Sequence, residues 1–214
     1  MKEDDLHPDK LLPRIEAMLA AAGTHPLVRT LWQPRLVEAI DWVARTIVEG
    51  REEHREPIAS EKRGRIVIAG VELHGVADRI DRLRDGALAI VDYKTGKAPS
   101  GKAVAAGFSM QLGLLAAIAE DGGFDDINGR VGRFEYWSLA RDGEGFGKVT
   151  QPVGGRDQIA AEDFVGRAKR IFSDAAGDWL TGDAPFIAKL APDFALYEDY
   201  DQLMRRDEWY GRED

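Results

Sequence analysis

Residues 75–96 constrain the fold of this chain more than any other stretch. Gly75-Val-Ala-Asp-Arg-Ile-Asp81 and Leu88-Ala-Ile-Val-Asp-Tyr-Lys-Thr-Gly96 flank Arg84-Asp85-Gly86. An Asp-Gly step between two apolar runs is a strong hairpin signal. A two-residue loop would set Asp78 opposite Tyr93, facing away from Asp92. A three-residue loop, with Gly86 as the left-handed residue of a bulge, pairs Leu83 with Ala87 and Asp78 with Asp92. Only the second register puts Asp78, Asp92 and Lys94 on one face, because side chains alternate along a strand. The run Leu88-Ala-Ile-Val91 is continuously apolar, which suits a central strand buried on both faces. Charges that appear only at the end of such a strand need partners or a ligand.

Two carboxylates directly opposed on a sheet repel. The pair is tolerated mainly with a cation between them, and oxygen ligands of this kind suit Mg²⁺ or Mn²⁺. Two carboxylates and an ammonium on one face make the minimum set for metal-dependent phosphodiester cleavage.

The rest of the chain supplies a frame for that hairpin. Apolar residues at helical spacing predict a helix over Pro8–Ala22, a second helical region from Pro26, and a long helix from Pro34 to about Glu49. Arg63–Ala69, Val71–Leu83 and Ala87–Tyr93 read as strands, with Gly70 at the first turn. Thr95–Gly107 reads as a loop. Ser109 is placed to cap a helix running to about Glu120, which Gly122-Gly123 ends. Val131–Leu139 is a further strand, Phe146–Val153 pairs back on it, and Gln158–Trp179 is amphipathic. Helices, a strand meander, a helix, more strands and a last helix predict an α/β sandwich around a mixed central sheet. Residues 1–56 form an N-terminal helical region and 57–214 the core, within one compact domain.

Composition excludes several classes. No run of about 18 apolar residues suggests a membrane span. The polar, acidic start Met1-Lys-Glu-Asp-Asp is not a signal peptide, and a cytoplasmic setting is the simplest fit. With no cysteine, neither a disulfide nor a thiolate-held iron–sulfur cluster can form. The net charge of −9 argues against unaided capture of DNA, whose binding draws largely on Lys and Arg. The charge is uneven, however. Residues 61–110 carry 9 Lys and Arg against 6 Asp and Glu, and this net-basic window contains the hairpin.

Asp78, then Asp92-Tyr-Lys94, then Gln111 early in a helix, resemble the PD-(D/E)xK nuclease superfamily. Within it, the matching text Gly75–Asp81, Ala89–Gly96 and Gly107–Leu112 is similar to the RecB-like nuclease domain at the C-terminal end of AddB, a subunit of bacterial double-strand-break repair helicase-nucleases. The tail Phe194-Ala-Leu-Tyr-Glu-Asp-Tyr-Asp-Gln-Leu203 shares the likeness. The resemblance implies a restriction-endonuclease-like fold and a Mg²⁺- or Mn²⁺-dependent DNA exonuclease acting on single strands fed by a helicase partner. It implies Asp78 and Asp92 as metal ligands, Lys94 as a catalytic residue, and Gln111 as a supporting or DNA-contacting residue.

The likeness is incomplete. The Gly-Thr-x-x-His motif usual upstream of the strands is absent, since Gly23-Thr-His25 has the wrong spacing, and Leu115 stands where relatives often have a tyrosine. The expectation is a fragment of a larger subunit or a shortened descendant. Glu61, just ahead of the first strand, is a candidate further acid, and Thr95 a candidate phosphate contact. Asp81 reads as structural, paired with a neighbouring arginine. The rival to a nuclease is a non-catalytic scaffold of the same fold that docks a helicase or grips DNA.

Overall fold

A computed structural model describes residues 8–21, 26–143, 145–156 and 158–186. Gly23–His25 and the tail segment 194–203 lie outside the described residues. The elements run α1 (Pro8–Ala21), α2 (Pro26–Glu52), β1 (Glu56–Ile68), β2 (Val71–Arg82), β3 (Leu88–Lys94), α3 (Gly101–Ala105), α4 (Gln111–Glu120), β4 (Val131–Asp142), β5 (Gly145–Thr150) and α5 (Ala161–Ala175), followed by a π-helical turn, Ala176–Leu180.

One mixed sheet of five strands has the order β1-β2-β3-β4-β5. β1/β2, β2/β3 and β4/β5 are antiparallel, and β3/β4 are parallel. A parallel pair needs a crossover connection, which α3 and α4 supply. The predicted α/β sandwich with a mixed central sheet is the observed architecture, consistent with the restriction-endonuclease-like fold.

β3 carries side chains to both faces. Leu88 and Ile90 join Ile80, Phe134 and Tyr136 against Leu112, Leu115 and Ile118 of α4 and Phe164 and Ala168 of α5. Val91 points the other way, with Trp137, onto Ala44 and Ile47 of α2. The sheet is therefore covered on both sides. Each large apolar side chain buried here contributes about 1.5–3 kcal/mol.

Two glycines let α4 approach the hairpin closely. Gly64 and Gly75 are paired across β1 and β2. A Cβ on Gly75 would sit 2.7 Å from Leu115 Cδ2, and one on Gly64 2.7 Å from Ile118 Cγ2.

Three local expectations need correction. α2 is one continuous helix with Pro34 inside it, not two. Proline's fixed φ suits a helix, and its loss is the hydrogen bond to the fourth residue before it. Leu31 and Trp32 beside it are largely exposed. The loop predicted over 95–107 contains the short α3, whose Ser100 hydroxyl caps Ala103 N at 3.2 Å. Ser109 does not cap α4. The N-cap is Met110, with no side-chain cap bond. The Ser109 hydroxyl instead lies 3.4 Å from the buried Tyr136 hydroxyl, a polar group that calls for a partner.

Candidate active site

The loop between β2 and β3 has three residues. Leu83 N donates to Ala87 O at 2.8 Å, Gly86 N to Leu83 O at 2.9 Å, and Gly86 has φ +82°. Arg82 pairs with Leu88 and Arg79 with Val91, which is the three-residue-loop frame that the face argument favoured. The ladder ends there, one pair short of Asp78 and Asp92. At that point Asp78 Oδ2 accepts a 2.8 Å hydrogen bond from Tyr93 N. A side chain has replaced the main-chain acceptor, and β2 parts from β3.

The alternation of faces also slips at Asp78. Before it, Leu73, Gly75 and Ala77 turn towards the α4 side; beyond it, Ile80 does. β1 slips in step. Gly64 and Lys62 lie opposite Gly75 and Ala77, whereas Ala59 lies opposite Ile80. Between them stands Glu61 with φ +49°, an uncommon left-handed conformation for a non-glycine residue. The slip frees Asp78 from regular pairing and turns it to the β3 terminus.

At that terminus three side chains close a triangle. Asp92 Oδ1 accepts from Gln111 Nε2 at 2.6 Å. Lys94 Nζ donates to Gln111 Oε1 at 3.0 Å and lies 2.6 Å from Asp92 Oδ2. Gln111 is the first residue of α4, so the parallel crossover delivers it to the strand end. The Lys94 ammonium also stands over the Tyr136 ring, 5.6 Å from its centroid.

Asp92 is the electrostatically exposed member of this group. Burial pushes its carboxyl above the ordinary carboxylate range; Lys94 and Gln111 work against that rise, and the neighbouring Asp78 charge adds to it. Its Oδ2 is shielded from solvent and, despite the nearby ammonium, receives no directed hydrogen bond. Burial likewise raises the Tyr136 phenol, with Ser109 opposing and Asp92 adding to the shift.

The structure thus brings Asp78, Asp92, Lys94 and Gln111 together. It does not bring in Glu61 or Thr95. Glu61 lies inside β1 rather than ahead of the first strand, is exposed, and belongs to no cluster of metal-binding side chains. Thr95 is exposed in the bend after Lys94. Among the described residues no group of three or more His, Asp or Glu side chains converges. A divalent ion here would therefore take two carboxylates from the protein and its remaining oxygens from water or substrate, a pattern that suits Mg²⁺. The buried Oδ2 of Asp92, set against the Lys94 ammonium, is a fitting donor.

A second charged cluster occupies the opposite face of the same strands. Arg55 Nε donates to Asp81 Oδ2 at 2.5 Å, and its Nη1 and Nη2 to Glu135 at 3.0 and 2.9 Å. Arg79 Nε donates to Asp81 Oδ1 at 2.6 Å, and Trp137 Nε1 to Glu135 Oε2 at 2.8 Å. Asp81 is structural, as its arginine neighbour suggested. Arg55 and Glu135 escaped the sequence reading, because 80 residues separate them and no local pattern links them. Tyr136 was missed because it reads as one more strand aromatic.

Comparison with known proteins adds the family. The model of the PD-(D/E)XK nuclease superfamily matches residues 2–189. No curated protein matches the chain.

Proposed function

The chain belongs to the PD-(D/E)XK nuclease superfamily, and from that premise we propose that it is a metal-dependent deoxyribonuclease whose working residues are Asp78, Asp92 and Lys94. The observation that carries the proposal is the Asp92 carboxylate. It is buried beside a second carboxylate, and a single lysine, 2.6 Å from its Oδ2, is set against the pair.

Asp78 and Asp92 would hold Mg²⁺ or Mn²⁺. Such an ion, when bound, polarises a scissile phosphate and lowers the pKa of a bound water. The chain's own residues do the positioning. Gln111 fixes Asp92 through Nε2 and Lys94 through Oε1, so neither swings freely. Asp78 is fixed by Tyr93 N. The remaining N–H groups of Lys94 are placed to orient a water or a phosphate oxygen and to stabilise charge that develops on the phosphate.

The finer reading is an exonuclease domain of a double-strand-break repair helicase-nuclease, acting on single strands in the cytoplasm. The AddB-like motif text supports it. The net charge of −9 favours delivery of DNA by a partner over unaided capture, and it is the observation that keeps the scaffold reading in play.

The test is cleavage of end-labelled single- and double-stranded DNA with Mg²⁺ or Mn²⁺, with and without a helicase partner. Weak cleavage alone and stronger cleavage with the partner is the expected result. Lys94→Ala should lower the rate by about 10²–10⁴-fold without removing metal binding. Cleavage by Lys94→Ala at the parental rate, or no metal-dependent cleavage under any of these conditions, would transfer the fold to the scaffold reading.

A further inference from the structure

Side chains on the α4 face of the sheet change character row by row towards the β3 terminus. Ile90 of β3 lies beside Phe134 of β4, and both are buried in the apolar layer under α4 and α5. The next row is Asp92, Tyr136 and Thr150, and the row after it is Lys94, Ser138 and Lys148. Directly paired residues share a face of a sheet. The opposite face is fixed independently. Trp137 packs on Ala44 and Ile47 of α2 and pairs with Val149, and a Cβ on Gly147 would meet the Trp42 ring. Lys148, between Gly147 and Val149, therefore belongs to the α4 face.

The last of these rows is polar and open to solvent. Ser138 is half-buried and Lys148 is exposed, and neither side chain makes a hydrogen bond or ion pair with a described residue. Lys94, by contrast, is answered by Asp92 and Gln111. Neighbouring strands lie about 4.8 Å apart, which puts the main chain at Lys148 roughly 10 Å from that at Lys94. A lysine on an outer strand also guards a sheet edge against pairing with another chain. That role is met by a charge anywhere along β5. It does not call for a hydroxyl between two ammonium groups, level with the end of the carboxylate site.

We propose that Ser138 and Lys148 grip the phosphate backbone of a single DNA strand beside the scissile bond, so that the strand crosses β3, β4 and β5 on the α4 face. The identity of the strand rests on the nuclease reading; the grip itself does not. One phosphate takes the Ser138 hydroxyl and the Lys148 ammonium, while a neighbouring bond lies at Asp92 and Lys94. A contact of this kind sets the register of the strand and carries no base preference. It also gives a chain of net charge −9 a local attraction for phosphate next to the site.

Binding of a short fluorescent single-stranded DNA oligonucleotide to the full chain tests the grip, measured at low salt in EDTA so that no metal contributes. Lys148→Ala should weaken binding about tenfold and lower the salt slope by about 0.7, and Lys148→Arg should restore both. Ser138→Ala should weaken binding less and leave the slope unchanged, because a hydroxyl carries no charge. Arg65→Ala removes an equal charge from β1, next to Gly64 but on the face turned away from α4, and should bind as the parent does. In cleavage assays Lys148→Ala should raise KM more than it lowers kcat. Parental affinity and slope in Lys148→Ala, an equal loss in Arg65→Ala, or no binding by the parent chain would each overturn the grip, even with metal-dependent cleavage intact. A loss confined to Lys148→Ala and Ser138→Ala, in a chain that cuts no DNA under any condition, would sustain the grip and end the nuclease reading instead.

Discussion

The two faces of β2, β3 and β4 carry charged groups of similar size and opposite logic. On the α2 face, Asp81 and Glu135 are each met on both oxygens. Arg55 and Arg79 share Asp81, while Arg55 grips Glu135 and Trp137 adds a third bond to it. Two buried carboxylates face two buried guanidiniums. On the α4 face, Asp78 and Asp92 face one lysine, and Asp92 Oδ2 lacks a directed donor. Charges can be kept in a protein interior when they are paired and fully hydrogen-bonded. The carboxylates of the first group meet that condition and work as structure. The second falls short by about one positive charge, which is the deficit expected of a site that takes a cation. Counting partners, rather than counting charges, distinguishes the two.

The largest effect should come from breaking the closed group. Glu135→Ala leaves Arg55 with a buried, half-satisfied guanidinium and strips Trp137 Nε1 of its acceptor. Removing one partner of a buried ion pair costs about 3–5 kcal/mol. Denaturant unfolding should show a midpoint lowered accordingly, with the metal response of the remaining folded protein preserved. A midpoint equal to the parent's would mean that the α2-face network is not holding the sheet together, and the contrast between the faces would dissolve.

Metal should act on the open group alone. A ligand that binds only the folded state stabilises it by mass action, by about 2.7 kcal/mol at a hundredfold excess over Kd. The melting temperature should rise with Mn²⁺ or Mg²⁺ in the parent chain and stay flat in Asp92→Asn. A parent Tm unmoved across millimolar metal would argue that the deficit on the α4 face is met some other way.

The sequence made one of these faces legible and hid the other. Arg84-Asp85-Gly86 marks the hairpin but leaves two loop lengths open, and the requirement that Asp78, Asp92 and Lys94 share a face selects the three-residue loop that the structure has. The apolar run 88–91 marks a central strand. Gln111 is legible only through the family resemblance, since by itself it reads as the first polar turn of a helix. What stayed hidden depends on the third dimension. The face slip at Asp78 hinges on the left-handed backbone of Glu61, which no residue preference for glycine announces. The Arg55–Glu135 grip joins the ends of a long sequence interval. The diversion of Ser109 from capping α4 to the Tyr136 hydroxyl depends on a strand that local patterns cannot bring near. Likewise, the family assignment reaches the superfamily, and the AddB-like context belongs to the proposal.

A smaller effect, opposite in sign to most substitutions, should follow from neutralising Asp92 without metal. Its carboxyl is raised in the folded state, chiefly by burial. The proton is therefore held more tightly folded than unfolded. The stability linked to that proton is present below the unfolded pKa, near 3.9, and is lost as pH rises through the folded value. At neutral pH the charged form works against the fold. Asp92→Asn keeps an oxygen for Gln111 Nε2 and removes the burden, so in EDTA it should melt above the parent. The same substitution at Asp81, whose oxygens are both met by arginine, should melt below it. Both variants shifting in the same direction would show that the two faces do not differ in charge balance.

The smallest effect lies at alkaline pH and touches both faces through one tyrosine each. Tyr93 on the α2 face and Tyr136 on the α4 face both have phenols raised above the usual value near 10, in each case mainly by burial. Arg79 opposes the rise at Tyr93, and Ser109 opposes it at Tyr136. For a neutral acid held more tightly in the folded state, stability is intact below the unfolded pKa and falls as pH rises through the folded one. Unfolding midpoints should therefore drop above about pH 10. Tyr136→Phe loses only the 3.4 Å contact to Ser109 and keeps the ring under Lys94, so its neutral-pH midpoint should stay within about 1 kcal/mol of the parent while its alkaline decline becomes shallower. Tyr93→Phe should flatten the decline less, because the nearby guanidinium of Arg79 already eases ionisation there. A parental alkaline slope in Tyr136→Phe would place the titrating group elsewhere. A greater flattening by Tyr93→Phe would mean that the arginine side of the sheet shields its phenol less than its paired charges imply.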